Sequence, residues 1–281
     1  MNKKFQHYSI LMLIIIVTVV CLPSCTTPTQ DCETSTPTTE TPTEETTAPP
    51  EPIIIEIYIE KELEQSNYPL QFVDVRNENL KRIMECKDRL KAAESLLASA
   101  RALSYDDEHP VVLLAQQEIE KITNDIEFYE GRWAIYAKEY PVACEVWRYL
   151  IETCGYSEPV AAGIIGNMMV ECGGHTLDLQ WNIYNSTGHY GLVQWSPKYH
   201  ASVIGASVPE QLNYLKETIP TVFNGWSGNL EGWNYEEFLT IEDCRMAARV
   251  FAEVYERPGK IGENRSNFAE KALEYFCSSV K

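Results

Sequence analysis

The chain has 281 residues, enough for one sizeable domain plus extensions, and 44% of them are hydrophobic, as in an ordinary folded protein. Acidic residues outnumber basic ones 41 to 23, for a formal net charge of −18, part of which comes from a Glu-rich stretch near the start. That balance argues against a nucleic-acid partner, which needs a basic stripe.

The first 25 residues read as an export signal. Lys3 and Lys4 precede an apolar run from Ile10 to Leu22. The run is shorter than the roughly 20 apolar residues of a membrane-spanning helix, and its basic start suits a secretory leader. Leu22-Pro23-Ser24-Cys25 then resembles a bacterial lipobox. In that reading Cys25 carries the lipid and becomes the first mature residue. Ordinary cleavage nearby or an uncleaved anchor are the alternatives, and all three place the rest outside the cytoplasm. Residues 26–52 are Thr, Pro and Glu with almost nothing to bury, so a disordered tether is expected. Pro-rich chain reaches about 3.1 Å per residue, so this tether spans at most roughly 80 Å.

Residues 53–139 are expected to hold a short strand and a helical hairpin. Ile55, Ile57 and Ile59 alternate within Ile53–Glu60. From about Arg76 the period becomes seven. Ile83, Leu90 and Leu97 form one series, and Cys86, Ala93 and Ala100 another. After a polar break at Tyr105–Pro110 the pattern returns. Val112, Ile119, Ile126 and Trp133 repeat, as do Ala115, Ile122, Tyr129 and Tyr136. These are the a and d positions of two antiparallel, coiled-coil-like helices joined by a short loop. The plain reading is a stalk or spacer. The sharper one is a surface for self-association or for docking a partner.

Tyr140-Pro141 ends the second helix, because Pro disfavours helix at the residue before it. A second domain, residues 140–281, starts here. Val142, Val146, Tyr149 and Leu150 mark an amphipathic helix with Gly155 beyond its end. Ser157 is then a good N-cap, Pro159 suits a first turn, and Gly173-Gly174 stops the next helix. Val160, Ala161, Ile164, Ile165, Met168 and Met169 make its apolar stripe. Glu171 lies three residues after Met168 and seven after Ile164, so it points along that stripe. An unpaired carboxylate there needs a reason. Apolar surroundings and the negative end of the helix dipole both favour its protonated form. A general acid working near neutral pH needs that form.

In the segment Gly188–Trp195, GHYGLVQW, two glycines flank a tight turn before a short apolar run. Its amide and aromatic groups suit the lip of a sugar-binding cleft. Gln211–Thr218 reads as helical. Asn224–Trp233 reads as turn-rich, with two Trp for the rim of the cleft. Asp243–Glu256 is expected to be a helix burying Ala247, Val250, Phe251 and Val254, and a last helix runs from about Ser266 to Phe276.

Three of these stretches carry a family resemblance. VWRYLIETCGYSEPVAAGIIGNMMVECGG, then GHYGLVQW, then FAEVYERPG (Phe251–Gly259) resemble, in order, three motifs of the phage-tail-type lysozyme domains. That family lies within the lysozyme-like superfamily. The resemblance spans about residues 140–281. It implies an α+β, mostly helical, lysozyme-like domain. It also implies that Glu171 is the catalytic acid and that Gly191–Gln194 is a strand lining the saccharide site. Tyr190, Gly191, Gln194, Trp195 and Tyr255 are then the candidate substrate-binding residues. Tyr255 and Glu256 read more simply as structural, with Glu256 paired to an Arg. Where the family usually has Ser after its acid, this chain has Cys172.

The remaining reactive residues say little. Seven cysteines follow the leader, an odd number without a CxxC, and they define no pairing. Cys172 and His175 are three residues apart across a double Gly, which is not how a cysteine peptidase assembles its pair. The five His show no ligand spacing, so neither a metal nor another cofactor is expected.

The reading is an extracytoplasmic, membrane-anchored lipoprotein that cleaves peptidoglycan. By resemblance it acts on the β-1,4 bond between N-acetylmuramic acid and N-acetylglucosamine. Peptidoglycan carries acidic peptides, so charge would not steer it to this chain, and shape, stacking and hydrogen bonds must recognise it. Asp178 is the nearest candidate for the second carboxylate that hydrolysis usually employs. Without one, a lytic transglycosylase giving 1,6-anhydro sugars is the alternative. A surface lipoprotein that only binds glycan is the alternative of another class. It would have no need of an acid at position 171.

Overall fold

The computed structural model describes residues 75–225, 232–259 and 261–279. The leader, Cys25, the tether, the expected strand at Ile53–Glu60 and the middle of the Asn224–Trp233 stretch lie outside the described residues. What is described belongs to one compact unit, Ile53–Lys281. It is mostly helical, and β structure among the described residues is confined to isolated bridges. None of the described helices is long and apolar enough to cross a membrane.

The hairpin is present. Helix α1 runs over Arg76–Ala102 and α2 over Pro110–Tyr136. The seven-residue series supplies its buried seam. Ile83, Cys86, Ala93, Ala100, Val112, Ala115, Ile122, Tyr129, Trp133 and Tyr136 are buried. Leu90, Ile119 and Ile126 pack half-buried beside them. At the turn His109 caps α2, its ring Nδ1 accepting from the Val111 N–H, and Pro110 fills the first helical position, where a missing N–H costs nothing.

The hairpin is not a free stalk. Leu80, Ile83, Ile122, Trp133 and Tyr136 share one continuous core with the following domain. Only its outer end, with Ala100, Val111 and Val112, has a small core of its own. Polar anchors fix the base. Buried Asn77 accepts from Trp147 Nε1 at 2.9 Å and donates to Glu158 at 2.7 Å. Arg76 donates to the Tyr275 carbonyl at 2.8 Å, with its guanidinium over the Tyr275 ring. Arg148 reaches Glu130 of α2 with two bonds of 2.6 Å, and Lys87 pairs with Glu152.

Helix α3, Pro141–Arg148, continues through a wider π turn at Tyr149–Thr153. Trp147 of α3 is fully buried and stacks on Phe276. Helix α4, Glu158–Glu171, is the centre of the domain. Ser157 caps it, accepting from the Val160 N–H. Every residue from Val160 to Met169 is buried, so the middle of α4 has no solvent face. The stripe expected from its apolar spacing is in fact a full circumference. Helices α5 (Val208–Gly225), α6 (Tyr235–Leu239), α7 (Cys244–Phe251, with a π turn at Ala252–Glu256) and α8 (Asn264–Cys277) complete the domain. Short α6 was not foreseen. Its signal is the Asn234-x-x-Glu237 capping box, whose two reciprocal bonds both form.

Asn77→Ala would leave the Trp147 indole N–H buried without an acceptor. Such a loss costs about 1–3 kcal/mol. Denaturant unfolding should show a destabilisation of that order, and no loss of stability would mean that the hairpin base does not anchor the domain.

Candidate active site

The site begins with how closely α4 meets its neighbours. A Cβ added at Gly166 would lie 2.5 Å from the Ala269 nitrogen and 2.7 Å from the Arg265 carbonyl oxygen of α8. One added at Gly163 would meet Ala247 and Ala248 of α7 as closely. Only glycine permits this approach. It brings the start of α8 against the last turns of α4, and Arg265 against Glu171.

Arg265 is the hub. Its side chain is 7% exposed and makes ion pairs to two carboxylates. Nη2 pairs with Glu171 Oε1, and Nη1 donates to Glu256 Oε2 at 2.5 Å. Nη1 also donates to Asn167 Oδ1 at 2.9 Å. Asn167 is fully buried, four residues before Glu171 and on the same helix face. Its amide nitrogen donates to the Gly163 and Ala248 carbonyls, which locks the side chain. The carboxylate expected to stand alone thus has a guanidinium partner from a segment 94 residues away.

The two acids differ in exposure. The Glu171 side chain is 21% exposed and that of Glu256 is 4% exposed. Glu171 can therefore meet a substrate, while Glu256 lies behind Arg265. Burial pushes the Glu256 carboxyl up to about 8 from its usual 4.5. Arg265 opposes this, but its charge is shared with Glu171, whose own negative charge pushes the same way as burial. Glu256 Oε1 is also buried without a hydrogen-bond partner. The expected pairing of Glu256 with an Arg is found, with Arg265.

The second motif folds as a turn rather than a strand. Tyr190 and Trp195 exchange backbone bonds of 2.9 and 2.8 Å, and residues 191–194 loop between them. Gly191 and Gln194 both have left-handed backbones, at φ 83 and 53, which no strand tolerates. Gln211 of α5 holds the turn. Its Oε1 accepts from the Leu192 N–H at 3.0 Å and occupies the space where a Gly191 side chain would be. Its Nε2 donates to the Trp181 and Ala206 carbonyls.

Tyr190, Gly191, Gln194 and Trp195 are all buried. Gln194 Nε2 donates to the Gly191 carbonyl, while its Oε1 is buried without a partner. Trp195 Nε1 donates to the Tyr255 hydroxyl at 3.3 Å, and that hydroxyl shares a 2.6 Å bond with Thr218. Burial pushes the Tyr255 phenol up to about 12. Tyr255 thus fastens the turn to α5 and α7. Asp178 is exposed, in the loop after α4, where its N–H donates to Thr176.

Cys172 is buried, and burial pushes its thiol well above the usual range, which removes the nucleophile. His175 stacks on Phe268 of α8. The residues that the sequence reading missed are Asn167, Arg265 and Gln211. Asn167 had a signal, a lone amide in an apolar helix one turn before the acid. Arg265 and Gln211 had none, since their partners are distant in the chain.

The raised Glu256 carboxyl has a consequence for stability. A carboxyl whose folded value exceeds its unfolded value stabilises the fold in its protonated form. That contribution is complete below about 4.5 and is lost as pH rises to about 8. The melting temperature should fall from pH 5 to pH 8 in the wild type and fall less in Glu256→Gln. Parallel curves would show that Glu256 does not titrate in this range.

Residues 141–276, a little under half of the chain, match the family model described as phage tail lysozyme. No curated protein matches the chain. The match starts at the first residue of α3 and ends one residue before the end of α8, so it covers every element that builds the site. Residues 141–276 are therefore a phage-tail-type lysozyme domain.

Proposed function

We propose that the chain is a peptidoglycan muramidase with Glu171 as its general acid. The observation that carries this is the setting of Glu171 within the matched domain. It is the partly exposed acid at the end of the central buried helix, held by Arg265. Glu171 protonates the glycosidic oxygen as the bond to N-acetylmuramic acid breaks, through an oxocarbenium-like transition state. The buried turn at residues 191–194 and the Trp195–Tyr255 pair, fixed by their hydrogen bonds, are the proposed saccharide-binding wall. Asp178, exposed in the loop after α4, is the proposed second carboxylate that stabilises or activates the water.

One observation favours a second reading. The other acid brought to Glu171 is Glu256, and it is buried behind Arg265 rather than facing substrate. A site with a single substrate-facing acid suits attack by a substrate hydroxyl, as in a lytic transglycosylase.

Glu171→Gln should reduce clearing of a peptidoglycan suspension to a few per cent of wild type or less, with the fold intact by circular dichroism. Retained activity would remove Glu171 from the role. Mass spectrometry of the wild-type digest separates the two chemistries. Muramic acid ends that shift on borohydride reduction mean hydrolysis. Anhydro ends, lighter by one water and inert to borohydride, mean transglycosylation.

The proposed address is the outer face of a membrane, with a lipid on Cys25 and residues 26–52 as tether. It rests on the basic start, the apolar run and Leu22-Pro23-Ser24-Cys25. In a bacterial host the mature protein should carry diacylglycerol mass on Cys25 and lose it in Cys25→Ala. An intact mass of wild type without lipid would exclude the anchor.

A further inference from the structure

Two carboxylates and one guanidinium form a nearly dry cluster. Arg265 and Glu256 are 7% and 4% exposed, and Glu171 is 21% exposed. One positive charge cannot neutralise two anions. With both acids ionised the cluster keeps an uncompensated negative charge in a poorly solvated place, which is costly. With one proton added it is neutral overall. The acids reach the same guanidinium through different nitrogens, so the side that lacks the proton takes the charge.

We propose that Glu256 is a positioning residue for catalysis: Glu171 and Glu256 share one proton across Arg265. The alkaline limit of activity then belongs to the pair rather than to Glu171 alone. This rests on the reading of Glu171 as the general acid. When Glu256 is ionised and holds Arg265, Glu171 keeps the proton it must deliver. When Glu256 holds the proton, Arg265 serves the Glu171 anion. Such coupled groups titrate with values that describe the pair. The upward push on Glu256 to about 8 agrees with a cluster that retains a proton through neutral pH.

The geometry keeps other charges from taking this role. From α4, the buried Cys172 thiol lies near enough to feel both acids, but it is itself pushed well up and stays neutral. On the π turn of α7, the Tyr255 phenol feels Glu256 and is protonated up to about 12. Arg257 follows Glu256 in sequence, and its charge is felt at His200. On α8 the ring of Phe268 is covered by His175. Asn167 cannot titrate, and its two backbone bonds hold the Arg265 Nη1 end in place.

The test is the pH profile of peptidoglycan clearing for the full-length protein and two variants. In Glu256→Gln the whole Arg265 charge falls to Glu171 and favours its anion. The alkaline limb should move to lower pH by about one unit or more, with kcat at pH 7 reduced about tenfold and KM nearly unchanged. In Arg265→Met the two acids face each other without a cation, so the limb should move to higher pH. Opposite movements support the shared proton. Limbs that stay in place, or that move the same way, overturn it. A purely structural loss lowers activity at every pH without moving the limb.

If a variant is too unstable to assay, carbon-13 labelling of Glu carboxyls gives a second measurement on the wild type. Two coupled carboxyl titrations, each resonance moving in both steps, support the proposal. Two independent single-step curves overturn it. The outcome is separate from the test of Glu171 itself. A dead Glu171→Gln with an unmoved limb in Glu256→Gln would refute the sharing and leave the general acid in place.

Discussion

The site depends on one buried guanidinium. Arg265 ties α8 to the end of α4 through Glu171, to the π turn after α7 through Glu256, and to the middle of α4 through Asn167. Two stretches of chain more than 80 residues apart, the end of α4 and the region from the π turn to α8, therefore meet at one charge. Truncating such a hub leaves buried anions uncompensated, which costs far more than the loss of an exposed ion pair. The helices can deliver these groups because glycines on α4 let α7 and α8 approach to backbone contact. The same charge offsets the unfavourable end of the α4 dipole where Glu171 stands.

The rest of the fold supports that arrangement mechanically. Central α4 is buried all round from Val160 to Met169, so the helix that carries Glu171 is held by packing up to its last turn. The hairpin adds to this from behind. Asn77 and Lys81 of α1 reach Glu158 at the first turn of α4, and Asn77 also secures the Trp147 indole. On the other side, Gln211, Trp195 and Tyr255 tie the 191–194 turn to α5 and α7. An acid held at the end of a stiff helix is what the proposed catalysis requires.

Local features of the site were legible in the sequence and long-range ones were not. The heptad positions of the hairpin repeat often enough to define both helices and their facing surfaces. Ser157, Pro159 and Gly174 bound α4 because caps act within a few residues. Glu171 stood out as a carboxylate at the end of an apolar run. Its partner did not, since a pair spanning 94 residues leaves no local mark. The direction of Glu171 was inferred from a stripe, but a helix buried on all sides has no preferred face to read. The family resemblance implies a strand at 191–194. That segment is a turn because Gln194 takes a left-handed backbone, which its identity does not signal.

The central claim is that Glu171, held by Arg265, faces the scissile bond. A crystal structure of the Glu171→Gln protein with a bound muramyl-glucosaminyl oligosaccharide tests it directly. The account predicts the glycosidic oxygen within about 3 Å of the residue 171 side chain, near-attack hydrogen-bond distance, with Arg265 still joined to Glu256. A sugar chain whose scissile oxygen faces another acid, or which binds away from the end of α4, would contradict it.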